Sequence, residues 1–275
     1  KLVSSLVTSF EMKISIVDRE EDFLNLNEKW DNLLSKSSSN TIFLTHEWLY
    51  NWWKNYKEAN DKLKIILLED DGLLYGIAPL IYETQAKELF LLGKGSGDSE
   101  YLDFITEPEY QKLFFEKISD GFLFKDFSWD VLYLSDIPEN SKTLDYLENF
   151  CEEQGFPYFK DEKLCSSVKL PSSWKEYLSN LNPRMRTKIR SKKKRLEADF
   201  HIEFGEITEE RILDESLALL FQFHQARWKK KGYPGSFSER RRRCFYNDLA
   251  KAFLKNGWLR FYYLKLNNVY LAFQF

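Results

Sequence analysis

The feature that most constrains this 275-residue chain is a repeated order of elements. Two helical segments followed by a β-hairpin occur at residues 20–82 and again at 212–275. In the first copy, residues 20–35 are amphipathic and Ser37-Ser38-Ser39-Asn40 is a linker. Thr45 then caps a helix on which Trp48, Leu49, Trp52, Trp53 and Tyr56 recur at helical spacing. Residues 63–69 and 73–82 alternate as strands around Asp70-Asp71-Gly72, a tight-turn signal. In the second copy, Leu213, Leu217, Leu220, His224 and Trp228 share one face of a helix over 212–231. Ser238 is positioned to cap a further helix that Gly257 closes, and Asn267-Asn268 joins strands 258–266 and 269–275. The echo lies in element order and not in residue identity. It predicts an α/β chain of the α+β type, two units with mainly antiparallel sheets flanked by helices, divided as 12–165 and 166–275.

Between the copies the pattern gives a strand at 89–92 and a glycine-rich loop, Gly93 to Asp98. An extended stretch over 101–105, a helix over 109–121, a strand at 130–134 and a helix over 140–155 follow. A first strand is expected at 13–17, after Met12. Lys1 and the apolar run ending at Phe275 suggest a fragment whose second unit stops at its third strand.

Charge separates the same two units. Residues 1–170 carry a net −14 and residues 171–275 a net +11, within an overall −3. An anionic ligand is therefore expected on the second unit, although the halves could also attract one another. The basic charge is concentrated behind Asn182-Pro183, an N-cap followed by proline at the first helical position. The helix predicted from there to Ala198 holds eight cations and no anion over 184–195. Met185, Ile189 and Leu196 form a narrow apolar stripe, and Lys192 falls on it. A solvated face with one snorkelling lysine and an anion-binding surface both account for that pattern.

Composition excludes several classes. With 43% hydrophobic and 17% aromatic residues, the chain is too rich for disorder. No apolar run reaches the ~18 residues that span a bilayer, so membrane insertion is not expected. Three widely spaced cysteines without a CxxC argue against a disulfide framework or zinc site and for a reducing, cytoplasmic setting. No metal-ligand spacing, Walker loop or GxGxxG is present.

The order of elements, together with Phe43-Leu44-Thr45-His46-Glu47-Trp48-Leu49, Gly76-Ile77-Ala78-Pro79-Leu80, Tyr101-Leu102-Asp103-Phe104, Trp174-Lys175-Glu176-Tyr177-Leu178 and His224-Gln225-Ala226-Arg227-Trp228, resembles the tandem GNAT proteins called CelD-like or BioF2-like acetyltransferases. These are relatives of the FemABX peptidyltransferases. The resemblance implies transfer of an acetyl or other acyl group from acyl-CoA, with no metal, to an amine or hydroxyl of a small molecule, sugar or cell-envelope precursor. It places the acyl donor in the second unit, on a loop after a fourth strand that this sequence does not reach. It makes His224 and Arg227 catalytic or acceptor-side candidates. Asp98, Tyr101, Asp103 and Trp228 become substrate-binding candidates, and Arg184 and Lys192 cofactor-binding ones. A core role for His224, a capping or surface role for the three loop residues and an ordinary glycine loop at 93–97 are the structural alternatives. An aminoacyl-tRNA-dependent transferase, or a non-enzymatic RNA- or nucleotide-binding module built on residues 184–195, are the functional ones.

Overall fold

The computed structural model describes residues 12–95, 98–119 and 128–275. Ser96 and Gly97 of the glycine loop, the Asp120-Gly121 end of the expected 109–121 helix and the residues around Lys1 lie outside them. The chain divides into two compact units, Lys1–Tyr158 with Cys244–Leu249, and Phe159–Arg243 with Ala250–Phe275.

Unit 1 is built on a six-stranded sheet of β1 (Lys13–Val17), β2 (Asp61–Asp70), β3 (Leu73–Glu83), β4 (Glu88–Leu91), β5 (Ile105–Thr106) and β6 (Val131–Tyr133). The order is β1-β2-β3-β4-β6, with β5 against β3. All pairs are antiparallel except β4 with β6. The β2–β3 hairpin turns on Asp71 and Gly72, both at positive φ, as a two-residue turn matched to strand twist requires. Ile65, Ile66, Leu68, Ile77, Ala78, Leu80 and Ile81 are buried, because helices cover the sheet's inner strands.

The amphipathic stretch 20–35 does not form one helix. It breaks at Asn25-Leu26 into α1 (Glu20–Leu24) and α2 (Asn27–Lys36). The break lets Phe23 and Trp30 both reach the core at 0% exposure, with Trp30 Nε1 donating to the Leu44 carbonyl at 2.8 Å. α3 (His46–Tyr56) starts where Thr45 Oγ1 accepts from Trp48 N, as its sequence predicts. The aromatic residues Trp48, Trp52, Trp53 and Tyr56 are buried, and Trp52 stacks on Tyr56. The unit also contains α4 (Gln111–Lys117) and α5 (Lys142–Gln154), the latter closed by Gly155 in the left-handed conformation.

Between α2 and α3 lies a partly buried polar cluster around the buried His46. The Asn27 amide donates to His46 Nδ1 and to Glu47 Oε1, both at 3.1 Å, and His46 Nε2 donates to the Phe23 carbonyl at 2.8 Å. Burial holds the His46 imidazole below its ordinary value, consistent with a neutral, structural histidine. Asp31 accepts from His46 N at 3.3 Å. Burial first, and then the Glu47 carboxylate, push Asp31 up from 3.8 to about 6. Because the folded value is the higher one, folding takes up a proton here. The stabilisation is complete below the unfolded value and is lost as pH rises through about 6. Asp31 is only partly enclosed, so the loss amounts to roughly 1–2 kcal/mol. Asp31→Asn is therefore expected to raise the urea midpoint at pH 8 while leaving it nearly unchanged at pH 4. An equal shift at both pH values would contradict this origin.

Unit 2 opens with α6 (Trp174–Asn180) and α7 (Pro183–Asp199). A three-stranded antiparallel sheet follows, in the order β7 (Ile202–Glu206), β8 (Tyr262–Leu266), β9 (Val269–Gln274). Between β7 and β8 run α8 (Glu210–Lys230) and α9 (Arg240–Lys255), whose Cys244–Leu249 segment belongs to unit 1. Asn267 and Asn268, both at positive φ, make the β8–β9 turn in the manner of Asp71-Gly72. Both sheets thus place strand, helices and hairpin in one order, and the fold class read from sequence is the one observed. The cap of α9 differs from expectation. Glu239 stands at the N-cap, while Ser238 Oγ donates to the Gly235 carbonyl inside a preceding 3₁₀ turn.

Candidate functional site

α8 presents two kinds of surface. Leu213, Leu217 and Phe221 are buried and anchor it in unit 2. One turn further along, the helix leaves the core and the loop 231–239 folds back against it. Gly232 and Gly235 take positive φ in that loop, and at Gly235 the requirement is also steric. A Cβ there would come 2.5 Å from Gln225 Oε1 and 3.0 Å from Trp228 Cβ. The close approach leaves an open cleft of about 450 Å³, walled by Phe221, Gln225 and Phe237, with Lys229 and Arg243 among its lining.

His224 is not part of that lining but touches it through Gln225 and Phe237. Its half-buried ring meets Phe237 edge-on with centroids 4.8 Å apart and tilts against Trp228 at 6.0 Å. Its Nδ1 lies 3.2 Å from Gln225 Oε1. The Gln225 Nε2 donates to the Pro234 carbonyl at 2.7 Å. A carbonyl can only accept, so this bond fixes the Gln225 amide with its oxygen toward His224. An amide oxygen facing Nδ1 in turn selects the tautomer with the proton on Nδ1, leaving the Nε2 lone pair able to take a proton. Pro234, Gln225 and His224 therefore form a short relay that sets which imidazole nitrogen is basic.

Arg227 is exposed on the last turn of α8. Trp228 is half-buried, with Lys231 Nζ 5.0 Å from its ring centroid and Tyr233 edge-on at 5.9 Å. His224, Arg227 and Trp228 are thus brought together by the i, i+3, i+4 spacing. Arg184 and Lys192 are exposed on α7, with no enclosing wall of their own.

The three unit 1 candidates each have their own protein partners. Asp98 accepts from Tyr56 and Tyr246, each at 3.0 Å. Tyr101, at φ 52°, lies over Phe43 with centroids 6.4 Å apart. Asp103 is 1% exposed and spends both oxygens on protein donors, accepting from Ser39 Oγ, Thr143 Oγ1 and Phe104 N. Just after the glycine-rich stretch, Trp48 Nε1 donates to Ser99 Oγ at 2.9 Å, and the next element among the described residues is β5. Among the described residues no cluster of three His, Cys, Asp or Glu could hold a metal ion. No helix of those residues is long and apolar enough to cross a membrane.

Sequence reasoning singled out His224 and the motif that holds Gln225, but did not place Pro234, Gly235 and Phe237 around it. Two glycines within four residues were the available signal of a tightly folded loop.

Residues 183–275 match the family model described as acetyltransferase (GNAT) domain. The match opens at Pro183, the first residue of α7, and takes in the cleft and the β7-β8-β9 sheet. Acyl transfer is the general chemistry of that domain, and acetyl-CoA its usual donor. No curated protein and no solved structure matches the chain.

Proposed function

We propose that this protein transfers an acyl group from acyl-CoA to an amine or hydroxyl acceptor bound against His224, beside the α8 cleft, with His224 as general base. The observation that carries this reading is the Pro234–Gln225–His224 relay, inside the matched domain and beside the cleft. The acceptor nitrogen or oxygen attacks the thioester carbonyl carbon, the carbon–sulfur bond breaks, and CoA leaves as the thiolate. His224 Nε2 takes the proton that the acceptor loses. Trp228 and Phe237 offer apolar surface for the acceptor's body, and Arg227 a cation for its polar end. Arg184 and Lys192 would draw the CoA phosphates by charge alone, since they stand on an exposed face. Repetition of strand, helices and hairpin in both units supports a tandem arrangement of the CelD-like or BioF2-like type, with a sugar or cell-envelope precursor as acceptor.

The test is a panel of amine and sugar acceptors offered to the native protein with acetyl-CoA, followed by release of free thiol. Acceptor-dependent release is expected. Consumption of aminoacyl-tRNA with no use of any acyl-CoA would replace this reading with the tRNA-dependent one.

A further inference from the structure

α7 is unusual in what it fails to bury. Over 17 residues, about 25 Å, none of its side chains is buried. Lys193 and Arg195 pair along the helix with Glu197 and Asp199. Arg184, Arg186, Lys188, Arg190, Lys192 and Lys194 make no ion pair among the described residues. Their spacing creates four successive like-charged i, i+4 pairs, each unfavourable in an isolated helix. Two of the cations also sit in the first turn, against the helix dipole, with no acid to offset them. On a helical wheel, the half-exposed stripe of Met185, Ile189 and Leu196 runs between the two rows of cations. The chain leading into the helix adds exposed apolar groups, namely Phe159 at 90%, a fully exposed Leu164, Leu170 at 77% and Trp174 at 60%.

We infer that the 159–200 segment is a docking surface for an anionic lipid bilayer, with α7 lying on the headgroups. Charge complementarity and the kind of apolar group exposed together point to lipid. A polyanion relieves the four repulsive pairs, and stable attachment to a membrane surface needs a second, apolar signal beside a polybasic patch. Leu164 and Leu170 supply that signal. Of the four exposed apolar groups, Leu164 and Leu170 are of no use to a nucleic acid, because aliphatic side chains offer bases no stacking platform, whereas a lipid surface accommodates all four. The inference does not depend on the acyl-transfer reading.

The test is co-sedimentation of the chain with vesicles of phosphatidylcholine alone and with vesicles containing about a third phosphatidylglycerol. Binding to the anionic vesicles is expected to exceed binding to the neutral ones at least tenfold. At about fivefold per cation, the triple variant Arg186→Glu, Lys188→Glu, Arg190→Glu should reduce it a hundredfold or more. The pair Leu164→Ser and Leu170→Ser should reduce it about tenfold. Because these side chains bury nothing, circular dichroism should report an intact fold in both variants. Equal binding to neutral vesicles, or insensitivity to either variant, overturns the inference. So does preferential binding of poly(U) that is lost in the triple variant and unaffected by the serine pair, which would make α7 a nucleic-acid surface.

Discussion

Gly76→Val is expected to destabilise unit 1 by about 3 kcal/mol, the largest single-residue effect on folding that we foresee. Gly76 sits in β3, paired with Leu68 on one side and Thr106 on the other. A Cβ added there would lie 2.6–2.9 Å from three ring atoms of Phe114. That ring cannot retreat. It is fully buried, and it meets Phe104 and Phe115 edge-on with centroids 6.2 Å and 6.0 Å away. Even alanine should cost a substantial part of the valine penalty. Gly95→Ala provides the control, because nothing lies within 4 Å of its added Cβ and only the positive φ is strained. Its cost should stay near 1 kcal/mol. Urea unfolding followed by tryptophan fluorescence measures both, and a Gly76→Ala protein as stable as the parent would show that β3 and α4 do not meet in this way.

His224→Ala is expected to lower kcat by about 10²–10⁴, the range for loss of a positioned general base. The same change should leave the fold intact. The ring is only half-buried, its one hydrogen bond among the described residues is to the neighbouring Gln225, and the α8 core residues Leu213, Leu217 and Phe221 lie elsewhere on the helix. Gln225→Ala should give a smaller fall in kcat, because it frees the tautomer without removing the base. The tautomer itself is readable without substrate from the nitrogen chemical shifts of the imidazole. A His224 predominantly protonated on Nε2 in the parent would contradict the relay.

Much of the architecture is legible in the sequence because it is set locally. Asn182-Pro183 caps α7 through Asn182 Oδ1 and Met185 N at 2.8 Å. Asp71-Gly72 and Asn267-Asn268 turn their hairpins, and the aromatic stripe of α3 faces inward as its spacing dictates. What the sequence conceals depends on contacts distant in the chain or on competition between local signals. Asp98 is committed by Tyr246, 148 positions away, and Asp103 by Ser39 and Thr143. No periodicity reveals such partners. The break between α1 and α2 is invisible because residues 20–35 keep an amphipathic pattern across it, and burial of Phe23 and Trp30 outweighs helix continuity. The expected Ser238 cap is lost for a similar reason. Its hydroxyl closes the 3₁₀ turn, which leaves Glu239 to begin α9. Most of the candidate site is hidden in the same way, since Pro234 returns to Gln225 only through the Gly232 and Gly235 turns.

The most direct test of acyl transfer as the function is calorimetric titration of acetyl-CoA into the native protein, with CoA lacking its acyl group and charged tRNA as comparisons. The account predicts saturable one-to-one binding of acetyl-CoA that the His224→Ala protein retains, because His224 acts on the acceptor and not on the donor. No heat with any acyl-CoA, together with tight binding of charged tRNA, would contradict it.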